Sequence, residues 1–299
     1  MKSSKEFILQ CLFFIGIVAV LTILISNLRV NLLRTGMGLS FNWLTQPSGF
    51  AIAEKSFSYK PSDNYFWALC IGWINSLKVI FVGLIIATIL GLLAGIARIS
   101  QNILLKNISS LYIALARQIP LLLQLMFWYF VVFLSLSNTP ISFLGSIVIL
   151  SNKAIKIMGV NISVEYASLL VGLSIFTGAS IAEVVRGGLN SVPKGQWEAF
   201  RSLGISERMG IAKIVLPQAL PAIIPGLTSQ YLNLAKNSTL AIAVGYADLY
   251  AISDTTITQT GRAIEGFIIL MASFLLLNIL ISSAMEGINK LTIKANYRV

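Results

Sequence analysis

Six long apolar runs constrain this chain more than any other feature of its sequence. They lie at Phe7–Ile25, Phe66–Ala97, Ser110–Leu136, Tyr166–Val185, Leu220–Tyr246 and Ile264–Met285. A helix that crosses about 30 Å of hydrocarbon needs roughly 20 mostly apolar residues. We therefore predict an all-α membrane protein with about six transmembrane helices. The second, third and fifth runs exceed one span, so these helices should tilt, break or protrude.

Composition excludes a soluble enzyme. The 299 residues are 56% hydrophobic and 11% charged, whereas a soluble domain has about 25% charged residues. The sequence has no His, and its two cysteines, Cys11 and Cys70, both lie in apolar runs. Since His and Cys supply most metal sites and many catalytic groups, we expect no catalytic residue and no metal site. The net charge of +11 does not indicate nucleic acid, because the basic residues lie mostly between apolar runs.

Basic residues also predict the orientation in the membrane. If the N-terminus is cytoplasmic, the cytoplasmic segments contain more Lys and Arg than the outer segments. This distribution agrees with the positive-inside rule. Both termini and the loop 186–215 should therefore face the cytoplasm. No small-residue cleavage site follows the first run, so we interpret it as a retained span rather than a signal peptide. The outer loops 26–65 and 137–165 resemble spacers, and the apolar patch Ile141–Leu150 is too short to cross the membrane.

The cytoplasmic segment 183–221 is more structured than a simple connector. The spacing of apolar residues predicts a short helix at Gln196–Leu203, which Gly204 should end. Ser206 suits the start of a second short helix, and Leu216-Pro217 should return the chain to the membrane. Such a projection suits docking into a groove on a partner. The alternative is an amphipathic loop on the membrane surface.

This loop resembles the coupling-loop signature of permease subunits in bacterial ATP-driven (ABC) importers. That signature is E-A-A, three residues, G, nine residues, I, one residue, L-P. Here it falls on Glu198, Ala199, Phe200, Gly204, Ile214, Leu216 and Pro217, with Phe200 in place of the second Ala. The stretches 116–129, 216–220 and 230–238 resemble the polar-amino-acid branch of these permeases, and 259–265 resembles its general L-amino-acid type.

The resemblance covers about residues 68–290 and implies a five-helix core of the type I ABC importers. Residues 1–67 would add an N-terminal helix with an extracytoplasmic loop, and 291–299 would form a cytoplasmic tail. The implied function is to form the translocation pathway for polar L-amino acids, in contact with lipid of the bacterial inner membrane. The implied partners are ABC ATPase subunits, a periplasmic amino-acid-binding protein and a second permease, identical or homologous.

ATP hydrolysis would then occur on another chain. The sequence contains no G-x-x-x-x-G-K-[ST] phosphate loop, so we expect no cofactor bound by this chain and ATP-Mg on the partner ATPase. The alternative function is an ion-coupled secondary amino-acid transporter. Such a transporter usually has two related halves, and we find no internal repeat.

Polar residues within the fifth run predict a substrate pathway, because a charged side chain inside a span is costly and by default marks a functional site. Gln230, Asn233 and Asn237 are spaced to share one helix face, and Lys236 borders that face. An ammonium at Lys236 and nearby amides could bind a substrate carboxylate. The alternative is that Lys236 extends to the membrane surface. The helix could also break at Asn237-Ser238 and expose backbone groups.

Other charged residues within the runs leave more than one interpretation. Glu183 precedes Arg186 by three residues, which suits an ion pair within one helix, although Glu183 could instead line the pathway. Lys78 could face the outer interface, a partner chain or the pathway. The stretch Arg117–Pro120 should either begin a helix or break one within the membrane, because Pro disfavours helix before it.

Overall fold

A computed structural model of the chain describes residues 4–34, 38–143 and 147–296. The chain divides into two compact units, residues 1–44 and 45–299. The first unit is mainly the helix α1, Ser4–Arg34. Its large apolar side chains are exposed on every side. A helix that is apolar all round suits a membrane span, in agreement with the predicted span at Phe7–Ile25.

The second unit is a bundle of long helices with short elements between them. Its α-helices are α2 (Tyr65–Ile99), α3 (Ile103–Gln118), α4 (Leu121–Met126), α5 (Val164–Asn190), α6 (Lys194–Ser202), α7 (Glu207–Gly210), α8 (Leu216–Asn237), α9 (Leu249–Thr260) and α10 (Ala263–Asn296). Phe127–Phe133 continues α4 as a π-helix, Ile211–Val215 joins α7 to α8 as a second π-helix, and the 3₁₀ stretch Ser238–Val244 follows α8. A further 3₁₀ helix, Asn42–Thr45, precedes the bundle.

The number of spans agrees with the sequence prediction. Among the described residues, five helices are long and apolar enough to cross a membrane, or six if the bent pair α3 and α4 is one span. The largest difference is at the fifth span. It is helical from Glu207 to Val244, so it begins well before the predicted start at Leu220.

The helices α2 and α5 share the most extensive contact of any helix pair in the described bundle. A Cβ atom on Gly91 would lie 2.3 Å from Cγ2 of Ile181, and one on Gly95 would lie 2.8 Å from the carbonyl oxygen of Ala182. Only glycine permits such an approach, and small residues four apart commonly bring membrane helices together. This contact fixes the position of α5, which supplies much of the site described below.

The third span is broken at Pro120. The helices on either side of the break differ in direction by 104°. Because Pro has no backbone N–H, the carbonyl of Ala116, four residues earlier, loses its helical donor. The buried Gln124 side chain replaces it and donates to the carbonyl oxygens of Ala116 at 2.7 Å and Ile119 at 2.8 Å. Both features considered for Arg117–Pro120 are therefore observed: the helical run breaks after Gln118, and α4 begins directly after Pro120.

The loop 137–165 contains a small sheet that the sequence did not predict. Four antiparallel strands follow one another in order: β1 (Ile141–Phe143), β2 (Val148–Leu150), β3 (Ile155–Ile157) and β4 (Val160–Ile162). Each strand has three residues, which is too short for an alternating pattern to be recognised in the sequence. The transmembrane part remains all-α, as expected.

Residues 45–64 pack on the bundle, whereas the sequence suggested a spacer. The buried side chain of Asn75 on α2 donates to the carbonyl oxygens of Glu54 and Ala247, each at 2.8 Å. Lys78 on the same helix forms an ion pair of 3.2 Å with the Glu54 carboxylate and lies 4.7 Å from the centre of the Tyr166 ring. These contacts fasten the segment to α2, and they account for Lys78 without a pathway role.

Candidate functional site

A polar cavity of about 490 Å³ lies between α5, α8 and the end of α3. It is lined by Arg117, Phe176, Thr177, Ser180, Glu183, Val184, Gln230, Asn233 and Asn237. The three amides of α8 share this cavity, as their spacing predicted. A cavity of a few hundred Å³ with convergent polar groups is typical of a small-molecule site.

Glu183 lies in the cavity wall, but its charge is balanced by two arginines. Its carboxylate accepts from Nη2 of Arg186 at 2.8 Å, which confirms the predicted ion pair within α5. It also forms an ion pair of 2.7 Å with Nη1 of Arg98, at the end of α2. Sequence reasoning missed Arg98 because the two residues are far apart in the chain. Glu183 therefore joins α2 to α5 and is not a free carboxylate.

Arg117 is the cation of the cavity that lacks a partner within the described part of the chain. No acidic side chain lies within ion-pair distance of its guanidinium there, and the amides of Gln230, Asn233 and Asn237 form no side-chain hydrogen bonds there either. Each amide supplies a carbonyl acceptor and two N–H donors. The cavity thus offers an uncompensated positive charge beside neutral polar groups, an arrangement that favours an anionic group on a ligand.

Two residues predicted for the pathway do not line this cavity. Lys236 is exposed and does not line the cavity, although it lies only about 60° from Asn233 around the helix. Ser238 is buried, and its hydroxyl donates to the Ala235 carbonyl at 2.9 Å. Its backbone N–H bonds to the carbonyls of Leu234 and Lys236, so the change from α to 3₁₀ helix after Asn237 exposes no free donor at this point.

The sequence also contains features that indicate cavity residues other than the three amides of α8. Thr177 and Ser180, which sequence reasoning missed, precede the predicted Glu183 at intervals of three residues within an apolar run, which places polar groups along one stripe of α5. Arg117 is a charge inside another apolar run, three residues before a proline. A charge beside a break in a span is a typical feature of transporter sites, although the sequence alone left the position of Arg117 open.

The predicted coupling loop forms a compact hairpin of helices. α6 ends before Gly204, whose φ of +70° is the left-handed conformation that glycine adopts without strain. The N–H of Gly204 bonds to the Arg201 carbonyl and that of Ile205 to the Phe200 carbonyl, each at 3.0 Å. These bonds close the end of α6 in the manner of a Schellman cap. The predicted end at Gly204 and the predicted start after Ser206 are both observed.

The second arm of this hairpin differs from the prediction. α7, the π-helix and α8 follow without a gap, so the chain does not turn at Leu216-Pro217. Pro217 lies just after the π-helix and removes one backbone donor from this continuous helical run. Ile214 and Leu216 are half-buried and pack against the main apolar core. Movement of the loop can thus be transmitted directly into the fifth span.

The free end of the hairpin presents both charged and apolar groups. Glu198 and Ala199 are exposed on α6, while Phe200 is buried. Arg201 forms a 2.7 Å ion pair with Glu207 across the hairpin, which ties its two arms together. Around the Gly204 corner, the apolar side chains of Leu203 and Met209 are exposed. This mixed surface suits docking into a protein groove.

Comparison with known proteins identifies the family. Residues 87–294 match the family described as "Binding-protein-dependent transport system inner membrane component". The chain belongs to this family. It is therefore a permease subunit of the ABC importer type, and the alternative of a secondary transporter is not favoured. The match covers the bundle from the middle of α2 to α10.

Curated relatives of this permease cover nearly the whole chain. The "Putative amino-acid ABC transporter permease protein YhdX" of Escherichia coli is 31% identical over 96% of this chain and 93% of its own length. The "General L-amino acid transport system permease protein AapQ" of Rhizobium johnstonii is 33% identical over 88% of this chain and 86% of its own length.

Solved structures support the type I importer fold of the permease. A chain from the "Crystal structure of an amino acid ABC transporter with histidines" is 27% identical, with a TM-score of 0.60 over 76% of this chain and 94% of that chain. A methionine ABC transporter structure, MetNI in an inward-facing conformation, is 21% identical with a TM-score of 0.58 over 76% of this chain and 97% of that chain. α1 is additional to this shared core.

Proposed function

We propose that this permease carries polar L-amino acids through the cavity between α3, α5 and α8, with Arg117 binding the α-carboxylate. This proposal rests on one observation: the Arg117 guanidinium forms no ion pair among the described residues, and it lies beside three amides that form no side-chain hydrogen bonds there. An amino acid that leaves water needs a partner for each of its two charges. Arg117 can donate to both carboxylate oxygens at once, because its donors form a planar fork.

The remaining polar groups suit the rest of such a substrate. The α-ammonium has three donors, and the hydroxyls of Thr177 and Ser180 can accept from it. The amides of α8 can bond a polar side chain in either sense, as donors or acceptors. Glu183 keeps the wall from becoming more positive while it holds α2 and α5 together. The names of the relatives, which are amino-acid permeases, support the same class of cargo.

The same proposal places the other components. ABC ATPase subunits would bind the hairpin Glu198–Pro217, and ATP-Mg would be hydrolysed there and not on this chain. A periplasmic binding protein would deliver the amino acid from the opposite side. A second permease, identical or homologous, would complete the pathway. Both termini would lie in the cytoplasm and the chain in a bacterial inner membrane, in accord with the distribution of Lys and Arg.

The test compares two variants of Arg117 with one of Lys236 in the reconstituted transporter. Arg117→Gln should lower uptake of substrate from loaded binding protein by about tenfold or more, because a charge-assisted hydrogen bond contributes on the order of 1.5–3 kcal/mol. Arg117→Lys should restore part of the activity, since it keeps the charge but not the fork. Lys236→Met removes an equal charge outside the cavity and should leave uptake almost unchanged.

Two results would contradict the proposal. Normal uptake by Arg117→Gln, with the transporter assembled in full, would exclude a carboxylate-binding role for Arg117. A strong loss in Lys236→Met with no loss in Arg117→Gln would return the pathway to the other face of α8. Co-purification of the ATPase with each variant separates both results from a failure of assembly.

A further inference from the structure

The sheet β1–β4 has one apolar face, and only half of that face is covered. Residues that pair directly across neighbouring strands lie on the same face of a sheet. Ile155 therefore shares a face with its partners Leu150 and Ile162. Ile155 is buried, and Ile162 packs against the core cluster that contains Tyr166. This end of the sheet therefore rests on the bundle beside the start of α5.

The other end of the same face extends beyond the bundle and is exposed. Ile157 and Val160 belong to this face and pair across β3 and β4. Met158 and Ile147 lie in the adjoining turns, where their backbones bond at 2.8 Å. Their exposed fractions range from 40% for Ile157 to 81% for Met158. We call these four residues the apolar tip. So many large apolar side chains at one point indicate a surface that is covered in the working protein.

The segment that carries the apolar tip has charge of one sign, with Lys156 on β3 and Lys153 in the turn between β2 and β3 at the other end of the sheet. The segment 137–163 contains Lys153 and Lys156 and no Asp or Glu. Lys156 and its strand partner Asn161 lie on the face opposite to Ile157 and Val160. The sheet is thus amphipathic: one face is apolar, and the other carries Ser142, Lys156 and Asn161 beside Ile149. Anionic groups would complement the basic residues.

The chain on either side of the sheet holds it close to the ends of two spans. β4 ends at Ile162, and α5 begins at Val164. On the other side, the third span reaches Phe133, a few residues before β1 begins at Ile141. Since both neighbouring spans should end at the membrane surface, we expect the sheet to lie near that surface.

We propose that the apolar tip inserts into the headgroup region of a leaflet containing anionic lipid, with Lys153 and Lys156 bound to lipid phosphates. Amphipathic elements bind membranes in this way, through apolar area on one side and attraction of basic residues to anionic lipid. The sheet would act as a lateral anchor for the start of α5, and α5 supplies one wall of the polar cavity. This inference requires the chain to be a membrane permease but not that Arg117 binds substrate.

The test places a fluorophore on each face of the sheet in the full-length transporter. Met158→Cys and Asn161→Cys are made in a Cys11→Ser, Cys70→Ala background and labelled with an environment-sensitive dye. The transporter is reconstituted in vesicles of phosphatidylcholine with or without phosphatidylglycerol. The dye at Met158 should emit at shorter wavelength, be quenched by spin-labelled lipid and be protected from aqueous iodide. The dye at Asn161 should show the reverse pattern.

The lysines supply the second arm of the experiment. Lys153→Gln with Lys156→Gln should weaken the lipid quenching at Met158 in vesicles with phosphatidylglycerol and have little effect in phosphatidylcholine alone. Equal iodide quenching at Met158 and Asn161 would overturn the proposal. So would protection of Met158 that appears only when the binding protein is added, because the apolar tip would then be a protein contact. Uptake by the labelled transporter is measured in parallel, so a failure of transport is distinguished from a failure of insertion.

Discussion

Phe200 packs directly over Gly210, across the hairpin between α6 and α7. A Cβ atom on Gly210 would lie 2.4 Å from Cδ2 of the Phe200 ring, and the ring is 1% exposed. Phe200 is also the residue that departs from the coupling-loop signature, which has Ala at that position. The missing side chain at Gly210 therefore makes room for the larger one at Phe200, and the pair holds the two arms together.

The first prediction concerns this complementary pair. Gly210→Ala should loosen the hairpin and lower ATPase co-purification and uptake, because overpacking costs on the order of 1–3 kcal/mol. Phe200→Ala should also weaken the hairpin, by leaving a cavity. The double variant should lose less than the two single losses combined, since the methyl group added by Gly210→Ala then occupies space left by the ring.

A double-mutant cycle provides the measurement for this pair. ATPase retained on the purified permease and uptake into vesicles are compared for the parent, both single variants and the double variant. Simple additivity of the two losses would show that Phe200 and Gly210 are not coupled. Gly195→Ala is a matched control, because a Cβ there meets no atom within 4 Å and the change should be silent.

The second prediction concerns the backbone at Gly204. A Cβ at Gly204 meets no other atom within 4 Å, so a side chain there would not clash; the φ of +70° is the constraint. Gly204→Asn should retain most uptake, because Asn tolerates the left-handed region, and Gly204→Val should lose it, because β-branched residues do not. Equal activity of the Asn and Val variants would show that this conformation is not required for coupling.

Sequence reasoning reached the parts of the molecule that depend on local patterns. The spans follow from the length and apolarity of each run, and the end of α6 follows from Gly204 because a helix stop is a local event. The shared face of Gln230, Asn233 and Asn237 follows from helical periodicity. In each case, neighbours along the chain determine the structure.

Sequence reasoning failed where contacts between distant segments decide the outcome. Arg98 joins Glu183 through the packing of α2 on α5, and nothing local to Glu183 indicates it. Lys236 borders the face of Asn233 and Asn237, and only the position of α5 shows that the cavity does not reach Lys236. The three-residue strands of 141–162 are stabilised by pairing with one another, and the sequence of a single strand does not indicate this pairing.

The third prediction tests the orientation of the permease. Ser206→Cys in the hairpin should be labelled by a membrane-impermeant thiol reagent only from the cytoplasmic side, and Thr258→Cys on α9 only from outside. Both positions are exposed, whereas nearby Ser253 is buried and would be a poor reporter. The expectation rests on the basic residues of 186–215. Labelling from the opposite sides would place the hairpin out of reach of a cytoplasmic ATPase.

The last prediction concerns Asp248, in the link between the span Glu207–Val244 and α9. Its Oδ1 accepts from the N–H of Ala251 at 2.8 Å and caps α9, and its Oδ2 is buried without a hydrogen-bond partner among the described residues. Burial raises the pKa of Asp248 from the ordinary value of 3.8 to about 7, although backbone N–H groups from Ala251 and Tyr250 act in the opposite direction. The neutral, protonated form is thus favoured in the folded protein.

This pKa fixes the sign of the pH dependence of stability. Between the ordinary pKa and about 7 the folded state holds a proton that the unfolded state has released, so the free energy of unfolding should fall as pH rises through this window. Asp248→Asn keeps the helix cap and cannot ionise. The thermal midpoint of the Asn variant relative to the parent should therefore rise from about pH 5 to about pH 8, as measured on the assembled transporter. Asp254 on the exposed side of α9 provides the control. Asp254→Asn should leave the pH profile unchanged. If the profile of Asp248→Asn were parallel to that of the parent, Asp248 would already be ionised in the folded protein at about pH 5.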